Sequence, residues 1–167
     1  MSASLPTGKS GALNASTLPY TADRSLIRHG CVMTLLGLVS GLTTGSVKAP
    51  TAALEAHTIG VLQGALLFGL AAIWPSLGGS PSLVRVAKYC ALIGLYGNWI
   101  GSQLAAFWSA RALFSVTGNS MPAGAAPWME VVVATLLLLS FLIIAMCVLI
   151  FIAARETRKV MKKDRED

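Results

Sequence analysis

Long apolar stretches separated by short polar links dominate the chain. A membrane-spanning helix needs about 20 largely apolar residues. Four segments meet that length, at residues 26–44, 56–74, 84–108 and 128–153. Proline, glycine and serine punctuate the links, as in ordinary turns. The pattern predicts an all-α integral membrane protein in which four transmembrane helices form a bundle.

Composition supports a chain that faces lipid over much of its surface. Hydrophobic residues make up 54% of it and charged residues 12%, whereas a soluble domain carries roughly 25% charged residues. The length suits one membrane domain, at residues 26–154. Residues 1–25 lack the apolar core of a signal peptide and predict a flexible tail. Residues 155–167 carry both charge signs and predict a solvated helical extension.

The basic residues flank the apolar segments and form no stripe, which argues against nucleic acid as a partner. Lys48 and Arg111 fall on one predicted face of the membrane, and the rest of the 13 lysines and arginines fall on the other. Because basic residues accumulate on the cytoplasmic side, both termini are predicted to be cytoplasmic. The lipid bilayer is the expected partner, with the bacterial inner membrane as the location.

His57 stands near the mouth of the second segment and shares a helical face with Gly60 and Gly64. An imidazole above a glycine surface can ligate a metal or the iron of a planar macrocycle. A histidine bonded to a backbone carbonyl is the competing interpretation, and the spacing leaves both open. Glu55 is expected to cap the helix, to orient His57 or to stay hydrated. Gln63 needs a partner, because an unpaired amide in hydrocarbon is costly.

The third segment carries five polar or amphipathic side chains within eight residues: Tyr96, Asn98, Trp99, Ser102 and Gln103. Tyr96, Trp99 and Gln103 share one helical face, and Asn98 and Ser102 share another. A single polar residue in a span commonly bonds to a neighbouring helix. Five together favour a polar-lined pocket for a small aromatic substrate with one polar function. Hydrogen bonding between helices remains the alternative.

Glycines recur at helical spacing in the first three segments and are missing from the fourth. Small residues let membrane helices approach closely, so segments one to three are predicted to pack tightly. The fourth is predicted to lie outside or to contact a partner more loosely. A glycine face can also admit a flat ligand. No Asp lies within a span, and no P-loop, Rossmann fingerprint or zinc spacing occurs, which argues against a Ser-His-Asp enzyme and a nucleotide-binding protein.

Three ordered motifs in residues 28–108 resemble the hydroxylaminobenzene mutases. The first is R-H-G at 28–30, followed by L-L-G-L-V-S-G at 35–41. The second is A-H-x-x-G-V-L-Q-G at 56–64, closed by I-W-P at 73–75. The third is Y-G-N-W at 96–99, similar to the family's Tyr-Ala-Asn-Trp, with L-A-A-F-W at 104–108.

A more distant resemblance is to styrene-oxide isomerase, a four-span membrane enzyme. It implies a homotrimer with ferric haem b between subunits, held by His57 as axial ligand, with the iron acting as a Lewis acid on the substrate oxygen. The reaction implied is rearrangement of an epoxide to a carbonyl or of an arylhydroxylamine to an aminophenol. The expected catalytic residues are Gln63, Asn98 and Ser102, and the expected substrate-binding residues are Tyr96, Trp99 and Gln103.

Three positions depart from the relatives' pattern. Gln63 replaces their Asn, and Gly94 and Ser102 stand where the isomerase has an Asp and a Tyr. A non-catalytic membrane assembly subunit and a cofactor-free mutase are the alternatives. A haem protein for electron transfer is disfavoured, because His29 is the only other histidine and is predicted near the opposite membrane face as an interfacial residue.

Overall fold

A computed structural model describes residues 22–111 and 124–163, which form helices joined by turns and loops, with no strand in that part. The helices are α1 Arg24–Thr43, α2 Pro50–Ile73, α3 Pro81–Trp108, α4 Pro127–Leu138 and α5 Phe141–Lys163. The all-helical prediction is confirmed. Most of the predicted N-terminal tail and of the third link lies outside the described residues.

Helix starts are set by caps and prolines rather than by the first apolar residue. The Asp23 carboxylate accepts hydrogen bonds from the backbone N–H groups of Ser25 and Leu26 at 2.9 and 3.0 Å, which begins α1. Proline takes the first position of α2, α3 and α4, where its missing N–H costs nothing. Since α2 begins at Pro50, Glu55 lies in its second turn, so capping, one of the three roles expected of Glu55, is wrong.

The backbones of α1 and α2 touch at Gly37 and Gly60. A Cβ at Gly37 would lie 2.6 Å from the backbone N of Val61, and one at Gly60 would lie 2.5 Å from Cα of Gly37. A Cβ at Gly64 would likewise lie 2.9 Å from the backbone N of Thr34. The predicted close packing of these segments is confirmed. The glycine face of α2 is covered by α1 and is not open to a flat ligand within one chain.

The fourth apolar segment is two helices, because the chain turns at Leu139 and Ser140 between α4 and α5. This turn packs on the glycines of α3, where a Cβ at Gly94 would lie 2.9 Å from Ile143 and one at Gly97 3.0 Å from Leu139. The third segment packs on α2 as predicted, but its glycines face the fourth segment, so the prediction that the fourth segment lies outside is wrong. The glycines of α3 form a groove for the bulky side chains of the glycine-free segment.

The described helices form an open row, in which α1 packs on α2, α2 on α3, and α3 on α4 and α5, while α1 meets α3 only slightly. The closed four-helix bundle is not confirmed. Three helical units, Arg24–Ser46, Pro50–Ser76 and Pro127–Glu156, are long and apolar enough to cross a membrane. The polar side chains of α3 lower its hydropathy below theirs. This is a helical membrane protein. That α3 also crosses the membrane, as the fourth span, stays a prediction.

Candidate active site

His57 lies in α2, half-buried beside α1. Its Nδ1 is 2.8 Å from the carbonyl oxygen of Gly37. Because a carbonyl only accepts, Nδ1 is the donor of this bond, and in the tautomer that carries its proton on Nδ1 the lone pair is on Nε2. Gly41 makes room for the ring, since a Cβ there would lie 2.7 Å from Nδ1. A bond to a backbone carbonyl and a role as a metal ligand, the two interpretations that the sequence left open, are thus compatible in one geometry.

Asn98 and Ser102 line a cleft between α2, α3 and the turn of the fourth segment, here called the Asn98 cleft. It has a volume of about 400 Å3, and its lining residues are Glu55, Ile59, Asn98, Ser102, Leu137, Leu138, Ser140 and Phe141. Ser102 is 1% exposed. Apolar walls with a few convergent polar groups are typical of sites for small organic ligands.

Trp99 and Gln103 line a second, smaller cleft between α1 and α3, here called the Trp99 cleft. Its volume is about 190 Å3, and its lining residues are Leu36, Val39, Ser40, Thr43, Trp99, Gln103 and Phe107. Nε1 of Trp99 and Oε1 of Gln103 are buried without a hydrogen-bond partner in the described structure. The two polar faces of α3 therefore line two clefts, not the single pocket that the sequence predicts.

Tyr96 and Gln63 line neither of these clefts. The Tyr96 hydroxyl is 3.1 Å from Nδ1 of His29, and the two rings meet edge to face. This pair ties α1 to α3 and gives His29 a partner that the sequence did not indicate. Gln63 is 8% exposed, and its Oε1 has no hydrogen-bond partner within the described residues. The partner that this amide needs is not supplied by that part of one chain.

His57 and the Asn98 cleft lie on different faces of α2. Glu55 and Ile59 line the cleft, and His57 is two residues from each, which is about 200° around a helix. A group held on Nε2 of His57 therefore points away from the cleft of the same chain. The described residues contain no cluster of three or more His, Cys, Asp and Glu side chains for a bare metal ion. One oriented imidazole suits the iron of a macrocycle.

Glu55 is the one ionisable residue among those that line the Asn98 cleft, and the sequence predicted no place for it there. Glu55 is half-buried, and it also lines a shallow depression on the surface of α2 with Thr51, Leu54, Thr58 and Ile59. The signal that locates it is Pro50, a favourable first residue for a helix. Starting α2 there places Glu55 inside the helix, one turn before Ile59.

Apolar helices around polar-lined clefts are typical of a helical membrane protein that binds small molecules. The chain belongs to the styrene oxide isomerase family, whose family model matches residues 22–155. It is therefore an intramolecular isomerase or mutase, and the predicted resemblance is confirmed. The match extends through the fourth segment, beyond the motifs seen in the sequence.

Two curated relatives are hydroxylaminobenzene mutases from Ectopseudomonas oleovorans. The mutase HabB is 30% identical over 126 residues, which cover 75% of this chain and 77% of the relative. The mutase HabA is 41% identical over 88 residues, which cover 52% of this chain and 64% of the relative. No solved structure matches the chain.

Proposed function

We propose that this protein rearranges a small aromatic substrate within the membrane, either an arylhydroxylamine to an aminophenol or an epoxide to a carbonyl compound. Family membership and the two mutase relatives support this reaction class. The observation that carries the proposal is the Asn98 cleft, with apolar walls around Asn98 and Ser102. Its walls suit an aromatic ring, and its amide and hydroxyl suit the substrate's one polar function.

The proposed cofactor is ferric haem b, held by Nε2 of His57. Metal-ligating histidines usually donate their other ring N–H to a carbonyl or carboxylate, and the Nδ1 contact to Gly37 fits that arrangement. When bound, the iron supplies a Lewis acid that polarises the substrate's C–O or N–O bond. Asn98 and Ser102 hydrogen-bond the substrate and orient its polar group. Gln63 offers its unpartnered oxygen from α2.

A homotrimer is proposed because His57 and the Asn98 cleft lie on different faces of α2 within one chain. A cyclic trimer joins unlike faces of neighbouring copies, so the His57 face of one subunit meets the Asn98 cleft of the next. The open row of helices supports this, because it leaves large apolar side chains exposed on α1, α2 and α5, such as Leu42, Leu62 and Phe151. Contiguous exposed apolar surface marks lipid or protein contact.

The proposed topology has four spans with both termini in the cytoplasm, in a bacterial inner membrane. At about 1.5 Å per residue, the 28 residues of α3 exceed the hydrocarbon thickness of roughly 30 Å. The distribution of lysine and arginine sets the orientation. In spheroplasts, a membrane-impermeant thiol reagent should label Lys48→Cys and leave Arg155→Cys unlabelled, in a background without the native cysteines. The reverse pattern would refute this orientation.

The decisive experiment combines an absorption spectrum of the purified protein with assays on hydroxylaminobenzene and styrene oxide. The wild type is expected to show a Soret band and to isomerise at least one substrate. His57→Ala should lose the band, while His29→Ala, the matched histidine control, should keep it. A wild type without the band that still turns over substrate would establish the cofactor-free alternative. A His57→Ala protein with full haem would remove His57 as the ligand.

A further inference from the structure

The Trp99 cleft is a gap between two helices that scarcely touch. Both α1 and α3 pack on α2 but meet each other only slightly, and the His29–Tyr96 pair bridges them about one turn before Trp99. The volume of the cleft is about 190 Å3. An apolar cavity of roughly 150 Å3 holds a benzene molecule, so the Trp99 cleft has room for one ring with a small substituent.

Two polar atoms of the residues that line this cleft lack partners, while its two hydroxyl groups already donate. Nε1 of Trp99 and Oε1 of Gln103 are buried without a hydrogen-bond partner in the described part of the chain. The Ser40 hydroxyl donates to the carbonyl oxygen of Leu36, and the Thr43 hydroxyl to that of Ser40, each at 2.9 Å. Because an unpaired buried polar group is costly, a ligand that pairs with both free atoms binds more tightly than an apolar one.

The two free atoms specify the polar group of such a ligand. The indole N–H of Trp99 only donates, the amide oxygen of Gln103 only accepts, and the two residues share one face of α3 about one turn apart. A hydroxyl group both accepts and donates, whereas a hydrocarbon, an ether or an ester does not. Both atoms are buried, but the last torsions of tryptophan and glutamine side chains are broad, so small rotations present these groups to the cleft.

Water fits this cleft less well than an organic hydroxyl compound. A buried water makes about three hydrogen bonds, and its share of liquid volume is roughly 30 Å3. Several waters would therefore be needed to fill the cleft, and the apolar walls of Leu36, Val39 and Phe107 offer them no partner. The same walls suit the ring of an organic ligand.

We propose that the Trp99 cleft is a second ligand site, for a small neutral alcohol with an apolar body about the size of one ring. The apolar body packs against the cleft walls, while the hydroxyl group accepts from Trp99 and donates to Gln103. No bond is made or broken there. The site is separate from the Asn98 cleft, since none of the described residues lines both, and it does not depend on the proposed rearrangement.

The test uses the full-length protein in a detergent without hydroxyl groups, isotope-labelled at the indole nitrogens for NMR. Benzyl alcohol is the probe, and ethylbenzene, which has nearly the same shape and no hydroxyl group, is its control. Benzyl alcohol should shift the Nε1–H resonance of Trp99, which Trp99→Phe identifies by its disappearance. At equal concentrations in the micelle, ethylbenzene should bind more weakly, by about 2- to 10-fold for each of the two hydrogen bonds that it lacks.

Gln103→Leu removes the acceptor and keeps most of the side-chain volume. It should weaken benzyl alcohol binding by about 2- to 10-fold and leave the thermal midpoint equal or higher, because an unpaired buried amide is gone. Gln103→Met is the second variant if Gln103→Leu does not fold. Trp74→Phe is the matched control, since Trp74 is buried at the end of α2 and lines neither cleft; it should bind benzyl alcohol as the wild type does.

Dioleoylglycerol, which carries a hydroxyl group on a lipid, distinguishes the two sources of such a ligand. Displacement of benzyl alcohol by dioleoylglycerol would make a lipid hydroxyl the occupant, and no displacement would leave a small free alcohol. A Trp99 resonance that benzyl alcohol does not move, or that ethylbenzene moves equally at equal concentration, would overturn the site. Wild-type affinity in a folded Gln103→Leu or Gln103→Met protein would overturn the pairing of the hydroxyl group with Gln103.

Discussion

The orientation of His57 depends on a residue 20 positions earlier in the chain. The sequence identified the imidazole from its residue type and helical spacing, but it placed His57 near a helix mouth, whereas α2 begins at Pro50 and holds His57 about two turns inside. It did not identify Gly37 as the hydrogen-bond acceptor, since a carbonyl carries no side-chain signature and the pairing depends on the register of α1 against α2. Sequence predicted the candidate ligand, and packing determines which nitrogen is free.

The Gly41 position tests this orientation. A Cβ at Gly41 would lie 2.7 Å from Nδ1 of His57, so Gly41→Ala should displace the ring and break its bond to the Gly37 carbonyl. Loss of such a supporting contact typically costs 10- to 100-fold in metal affinity, so we expect about that loss in haem affinity. Haem titration monitored at the Soret band measures it. Gly69→Ala, a helical glycine with no neighbour within 4 Å, should bind haem normally.

The same lesson applies to the polar residues of α3. Their number predicted ligand contact, but the helical faces alone did not show which neighbouring helix each face meets. Asn98 and Ser102 face the fourth segment, whereas Trp99 and Gln103 face α1. The split follows from α3 packing on α4 and α5 through its glycines, a long-range contact that periodicity does not encode.

Among the elements, the turn between α4 and α5 was the least predictable. Residues 138–141 contain neither glycine nor proline, so the uniform hydropathy of the segment predicts one continuous helix. The turn places Leu139 against Gly97 and Ser140 at the Asn98 cleft. Hydropathy predicts that this segment is helical. The turn at Leu139 and Ser140 depends on how the segment packs against the glycines of α3, which hydropathy does not show.

The α1–α2 contact gives a stability prediction at the scale of elements. Gly37→Ala would bring a Cβ to 2.6 Å from the backbone N of Val61, and only separation of the two helices relieves that clash. Overpacking of this kind typically costs about 1–3 kcal/mol. The thermal unfolding midpoint in detergent should fall accordingly. Gly69→Ala should leave it equal or slightly higher, since alanine favours helix; a loss as large as that of Gly37→Ala would contradict the contact.

Asp23, at the start of α1, is expected to make the stability of the fold depend on pH. Burial raises the pKa of Asp23, but the hydrogen bonds from Lys88, Leu26 and Ser25 outweigh it, so the pKa lies below its usual value. A lowered folded-state pKa gives stability that is present above about pH 4 and lost as pH falls through that lowered value. The partly exposed pair with Lys88 limits the effect to about 1 kcal/mol or less.

Asp23→Asn tests this pH dependence, because asparagine still caps a helix but carries no charge to pair with Lys88. Its thermal midpoint should lie slightly below that of the wild type at pH 7. The difference should shrink as pH falls below about 4, where the wild-type carboxylate protonates. A midpoint difference that stays constant with pH would show that the carboxylate charge contributes nothing.

At the scale of the whole molecule, the open row of helices makes subunit mixing a direct test of the shared site. His57→Ala and Asn98→Ala chains, each impaired alone, should regain activity when co-expressed. In a random cyclic trimer, about a quarter of the sites combine an intact His57 with an intact Asn98 from the neighbour. Activity measured on co-purified, differently tagged chains checks this. Absence of any recovery in confirmed mixed trimers would place both residues in one chain's site.

The bond between His57 and Gly37 also has a consequence for biosynthesis. N-terminal parts of a chain fold first as synthesis proceeds. Residues 24–73 contain both helices, the glycine contact and the oriented imidazole, whereas the cleft also requires α3 and the fourth segment. The ribosome therefore completes the ligand-bearing hairpin before it has made Asn98. The proposed cofactor ligand is thus oriented by α1 and α2 alone, whereas the proposed substrate cleft needs residues of α2, α3 and the fourth segment.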